Sequence, residues 1–252
     1  MDEKTESNHY NPLLYVKELP TFEKIIDNSD AKHKIQEDDV MTLINTLMVN
    51  TKSENIQNTS GDPFWEKAEM IFLQALFYYT LRHYDKQHQN FTTILKLIRL
   101  SNPDTNGTSA LDKLFENWEK QEPDAVGVKQ YKHFKVAASA PKMMSTIIMV
   151  ATARLAAFNI KEIADLTDTD DMELERIGMP TNDDSKLLKE INESTGKHIG
   201  NGKIAYFIVT KPSDSTFNFL RKYFLYPGIC DDRSKCKKMW WSISKPITNI
   251  YG

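Results

Sequence analysis

From Asp38 onward, apolar residues recur at a helical period. Val40, Leu43, Ile44, Leu47 and Met48 stand at i, i+3, i+4, i+7 and i+8, one face of a helix that Asp38 is placed to cap and that the polar run Asn50 to Gly61 ends. Asp62 and Pro63 then form a start signal, a side-chain acceptor followed by a residue whose fixed φ suits the first helical position, so a helix is expected over 63–83. Between Met70 and Leu81 that helix is apolar nearly all round, which marks it as the central helix of a bundle. Further helices are expected over 91–99 and from Ser109, with Leu111, Leu114, Phe115 and Trp118 on one face. Pro123 is read as opening the next, carrying Val128, Tyr131 and Phe134, and Pro141 as opening one that runs through Leu155 to Phe158. Short helical pieces follow at 161–166, 172–177 and 185–192. The pattern then changes to Ile204-Ala205-Tyr206-Phe207-Ile208-Val209, a β-branched and aromatic run between Gly202 and Pro212 that reads as a buried strand. A lone strand cannot satisfy its own ladder of N–H and C=O groups, so a sheet is implied, with partners in residues 1–37 or outside the chain. Residues 1–37 have weak periodicity around one compact apolar piece, Tyr10 to Val16, and read as a loop or short strand entering the fold.

Composition narrows this picture without changing it. The 252 residues carry 32 Lys+Arg against 35 Asp+Glu and are 40% apolar, so the chain is globular and large enough to bury a core, and its charge of -3 gives no strong footprint for nucleic acid. Nine Gly and ten Pro argue against a many-turned β sandwich. Cys230 and Cys236 are too few for a disulfide framework and lack zinc spacing, which fits a reducing compartment. The start, Met1-Asp2-Glu3-Lys4, is unlike a secretion signal. The most apolar helical stretch, Met143 to Phe158, is broken by Ser145, Thr146, Thr152 and Arg154, short of the roughly 20 residues that span a bilayer. A cytoplasmic chain without membrane contact of its own is expected. Four Asn-x-Ser/Thr sequons, at Asn58, Asn90, Asn106 and Asn192, carry no glycosylation meaning there.

Taken together, Tyr10-Asn11-Pro12-Leu13, Asp62-Pro63-Phe64-Trp65-Glu66-Lys67-Ala68-Glu69, Val128-Lys129-Gln130-Tyr131-Lys132 and Ala153-Arg154-Leu155-Ala156-Ala157-Phe158 have a familiar order and spacing. With Gly202 to Val209 and Thr216-Phe217-Asn218-Phe219-Leu220, they make the chain resemble, over about residues 8–220, the type IV secretion coupling proteins of conjugative elements, the TraG/TraD-like DNA-transfer ATPases. The resemblance implies a membrane-anchored hexameric motor whose RecA-like domain is interrupted by an all-α domain that receives the relaxase and its DNA. Residues 1–61 would be a RecA-like remnant and entry helix, 62–166 the all-α bundle and 167–220 the return to the RecA-like sheet, leaving 221–252 unassigned. The fold class expected is therefore mainly α, with remnants of an α/β domain at its ends.

The departures from the family define the functional expectation. A P-loop requires G-x-x-x-x-G-K-[ST] between strand and helix, and no such string occurs; Gly196 to Lys203 has the wrong spacing and precedes its strand. No acidic, magnesium-holding strand end follows residue 220. The expectation is a truncated coupling-protein fragment that docks relaxase or DNA and is no ATPase by itself, with ATP and Mg belonging to the intact relative. The alternatives are a helical regulatory protein that binds intact coupling-protein hexamers, or a non-functional product. Any place at the cytoplasmic face of the membrane would be held through partners.

No nucleophile–base arrangement or metal spacing emerges, so the catalytic, cofactor and metal lists stay empty. Lys129, Lys132 and Lys135, with His133 beside them, form a basic stripe on the helix of Val128, Tyr131 and Phe134. It is either a contact for DNA or a partner, or a solvated face opposite the buried one. His83 and His88 lie on different helix faces, unsuited to a metal. Arg154, inside an apolar helix, either pairs with a carboxylate or snorkels to solvent, and pairing is expected because an unpaired buried charge is costly. Asp214, after the predicted strand, stands where a nucleotide would lie in an intact relative and is expected here to cap a helix.

Overall fold

The computed structural model describes residues 8–16, 18–19, 34–51, 63–104 and 107–172. The chain divides into two units, Met1–Met172 and Glu173–Gly252, and the described residues fall in the first. That unit is mainly α, as expected. Its helices are α1 (Glu37–Asn50), α2 (Pro63–His83), α3 (Phe91–Arg99), α4 (Ala110–Gln121), α5 (Val126–Ala137), α6 (Pro141–Arg154) and α7 (Lys161–Asp168), with 3-10 turns at Pro12–Tyr15, Lys86–His88 and Ala156–Asn159. Among the described residues β structure amounts to β1 (Glu18–Leu19) and β2 (Lys34–Ile35), paired antiparallel with Glu18 opposite Ile35, and an isolated antiparallel bridge between Pro103 and Ser109. The expected strand 204–209, the Asp62 cap, the later helical pieces, Asp214 and both cysteines lie outside the described residues.

The all-round apolar character of α2 is matched by its position. Every residue from Phe72 to Leu81 is buried, and α1, α3, α5 and α6 all pack against it. Phe72 meets Phe134 of α5 with ring centroids 4.4 Å apart, and Phe77 meets Phe91 of α3 edge-on at 6.0 Å. A second layer stacks Phe91 on Phe158 at 4.0 Å and Phe115 on Tyr131 at 3.9 Å. Burial pushes the Tyr78 phenol up to about 12, with Glu37 and Asp38 of α1 adding to the shift.

Helix ends follow capping chemistry, with three differences from the sequence reading. Ser109 caps α4 in a reciprocal box with Asp112, and Asn90, the sequon residue, caps α3 by accepting the Thr93 N–H at 3.0 Å. Asp38 does not cap α1, which begins at Glu37 behind Gln36. Glu37, Asp38 and Asp39 instead fill its first turn, where the helix dipole favours them. Pro123 does not open α5: Glu122 is held by Arg82 and Trp118, so the chain turns over residues 122–125 and the helix begins at Val126. The helix from Pro141 stops at Arg154, whose guanidinium is engaged elsewhere, and passes into the 3-10 turn that sets Phe158 against Phe91. Gly107, at φ 77°, closes the turn before α4.

Gly127 marks a close approach between helices. A Cβ there would lie 2.5 Å from Trp118 Cζ3 and 2.8 Å from Tyr78 Cβ, so α5 settles onto α2 and α4 only because the side chain is missing. Gly127→Ala is expected to cost about 1–3 kcal/mol despite the gain in helix propensity, because overpacking wins, and a urea titration measures it.

Candidate interaction site

The four residues of the basic stripe lie on the outer face of α5, and Val128, Tyr131 and Phe134 occupy its buried face. The three lysines are already engaged. Lys129 Nζ is 3.1 Å from Asp124, Lys132 Nζ is 2.5 Å from Glu119, and Lys135 Nζ is 2.9 Å from Asp112. His133 is exposed between them. The stripe is thus matched carboxylate by carboxylate along α4 and the turn after it, which leaves little net positive potential on this face.

Asp112 is the centre of this region. Its Oδ2 accepts the Ser109 N–H and hydroxyl, each at 2.8 Å, and its Oδ1 accepts Tyr131 OH at 2.8 Å besides facing Lys135. Burial works to raise its pKa, but the bonds from Ser109, Lys135 and Tyr131 prevail and hold it below the usual carboxylate value. The Tyr131 phenol is raised, first by burial and then by its bond to Asp112, so it remains a donor. One side chain therefore finishes the cap of α4 and fixes α5 beside it.

Arg154 pairs with a carboxylate as its chemistry demands. Its Nε and Nη2 donate to Glu69 Oε1 and Oε2 at 2.6 and 2.8 Å, and its Nη1 donates to Met48 O and Thr51 Oγ1 at 3.0 and 2.8 Å. The two side chains are only 11% and 2% exposed. The guanidinium joins the end of α6 to α2 and satisfies a carbonyl at the C-terminus of α1.

A third polar cluster was not visible in the sequence. Residues 8–15 run beside the end of α7 and are held there: Tyr10 N–H donates to Leu166 O at 2.8 Å and Asp171 N–H to His9 O at 3.1 Å. Asp171 accepts the His9 N–H at 2.8 Å, faces His9 Nδ1 at 2.9 Å and accepts Asn8 Nδ2 at 3.0 Å. Tyr15 OH donates to Asp170 at 2.7 Å, and Asn11 Nδ2 reaches Gln89 O at 2.8 Å and Asp168 O at 3.3 Å. Burial raises Asp171, but its bonds from His9 and Asn8 outweigh this and set it below the usual range; Asp168 is raised by burial, against a bond from Thr92. His88 pairs with Asp85, and His83 packs on Tyr79 and against Trp118. Among the described residues no group of three or more His, Cys, Asp or Glu is placed to hold a metal ion, and no helix is long and apolar enough to cross a membrane.

A family model for type IV secretory system conjugative DNA transfer matches residues 2–183, which takes in every described residue. The chain belongs to that family. No curated protein and no solved structure matches it. The match includes the segments around Tyr10, Pro63, Lys129 and Arg154 that carry the resemblance and stops short of 203–220. In this conjugative DNA transfer chain the junction residues, not the basic stripe, are the ones with fixed geometry. Among them Arg154 and the Ser109 cap had a signal in the sequence, and Asp112 stands at the capping-box spacing from Ser109; Glu69 and the Asp168–Asp171 cluster had none beyond charge.

Two outcomes follow from these junctions. Glu69→Ala, which strands the guanidinium, is expected to cost about 3–5 kcal/mol, whereas Glu69→Leu with Arg154→Met restores much of it; chemical denaturation of both variants checks this. For Asp112 and Asp171 the folded pKa lies below the unfolded 3.8, so their stabilisation is present above that value and disappears as pH falls through the folded pKa. Asp168, raised, acts in the opposite sense. Urea midpoints measured from neutral pH to about 3 should fall at the acid end, and less steeply in Asp171→Asn.

Proposed function

We propose that the helical unit docks the relaxase and its DNA for conjugative transfer and hydrolyses no ATP by itself. The observation that carries this reading is the join between residues 8–11 and 166–171. Entry and exit of the unit lie side by side, bonded at 2.8 and 3.1 Å, the form expected of a module inserted into a larger machine. Family membership supports a role in DNA transfer, and the want of a phosphate-gripping string supports a role other than turnover. Direct contact with DNA through Lys129, Lys132, His133 and Lys135 is weak and salt-sensitive, because phosphates must compete with Asp124, Glu119 and Asp112 for the same ammonium groups.

The test is capture. The immobilised chain should retain a relaxase from the same conjugative element and show no magnesium-dependent ATP turnover above blank. Retention of full-length coupling protein in place of relaxase would replace docking with interference, and measurable turnover would reject the non-hydrolytic reading.

A further inference from the structure

Two cations away from the stripe have no carboxylate within ion-pair distance. Arg99 and Lys161 are exposed, and neither is in an ion pair among the described residues. They share one end of a helix pair. Thr92 of α3 bonds Asp168 of α7 at 2.9 Å, and Arg99 of α3 bonds Asn159, just before α7, at 3.0 Å, so the two helices run antiparallel. The end of α3 therefore meets the start of α7. Leu100 follows Arg99 and Ile160 precedes Lys161, and these two aliphatic side chains are 39% and 42% exposed, among the few large apolar residues left in water. The Arg99 guanidinium is held by Asn159 and is thus pre-organised beside them.

We propose that this end, with Leu100 and Ile160 beside Arg99 and Lys161, docks an acidic, leucine-bearing peptide segment of a partner protein. Charge complementarity selects the occupant. Carboxylates on the segment meet cations that no internal carboxylate pairs, while its apolar side chains cover Leu100 and Ile160. A nucleic acid would engage the cations but leave the two aliphatic residues facing phosphate and sugar. The Asp168 carboxyl near Lys96 and the exposed Glu162 and Asp165 farther along α7 turn the acidic segment towards the Arg99–Lys161 end. The inference rests on the docking reading in that the segment would belong to the delivered protein, and peptide binding tests it separately from relaxase capture.

The experiment is fluorescence anisotropy on the full chain, with a fluorescein-labelled peptide carrying two leucines one helical turn apart among glutamates. Saturable binding is expected, weakened about tenfold by Arg99→Glu with Lys161→Glu and comparably by Leu100→Ser with Ile160→Ser, with circular dichroism unchanged at these exposed positions. The same peptide with glutamines should bind more weakly, and changing the exposed Lys129 and Lys132 to Gln should leave binding as it was. No binding, binding indifferent to both pairs of changes, or loss on changing the α5 lysines instead would overturn the inference. So would a labelled single-stranded oligonucleotide that binds this end when the peptide does not. Relaxase capture that persists while peptide binding fails would sink this inference alone and leave the docking reading standing.

Discussion

A helix that is apolar on every side is stable only if every side is covered, and α2 imposes that condition on the whole unit. Its neighbours come from both directions along the chain, so the elements that cover it must be tied to one another as well as to it. The Glu69–Arg154 pair meets this need at one end. A carboxylate 2% exposed on α2 holds a guanidinium from α6 in two parallel bonds, and the remaining donors of that guanidinium close the end of α1. A hydrophobic pair of similar volume would give comparable stability, but it would not specify which helix ends meet.

The same device recurs with other residues. Asp112 ties the start of α4 to the middle of α5, Glu122 ties the end of α4 to Arg82 of α2, Asp168 ties the end of α7 to Thr92 of α3, and Asp170 and Asp171 tie residues 8–15 beside it. Each is a carboxylate at or beside a helix terminus that accepts at least one donor from a distant part of the chain. Aromatic stacking fills the space between, and Gly127 lets two of the helices close to a distance at which any side chain would clash. Adhesion thus comes from non-directional apolar burial and register from charge-assisted bonds.

The apolar periodicity made the helices legible. The span 63–83, the helix over 91–99 and the Ser109 start are all where spacing and capping residues put them, because these signals act within one or two turns. Signals that depend on distant contacts were not legible. Pro123 has the chemistry of a helix start, yet Glu122 is engaged by Arg82, 40 residues away, and the turn is completed before α5 begins. Arg154 announced that it needed a carboxylate but not which one, since Glu69 stands 85 positions earlier with no periodic relation to it. The lysine stripe was legible as a stripe, and its partners on α4 were not, so its balance of charge could not be read from α5 alone.

That balance bears on how a surface of nearly neutral charge can still choose a partner. Where each ammonium faces a carboxylate at 2.5–3.1 Å, an incoming anion gains only the difference between two similar interactions, and selectivity is small. Where cations stand without a carboxylate of their own and beside exposed aliphatic residues, an incoming segment gains both terms at once, and only a partner offering carboxylates and apolar groups at matching spacing collects them. Long-range attraction from a chain of net charge -3 is weak, so recognition here must come from short-range fit at such places. The α3–α7 end has that composition because Thr92–Asp168 and Arg99–Asn159 fix the two helices antiparallel, which brings together residues 60 positions apart that neither helix could present alone.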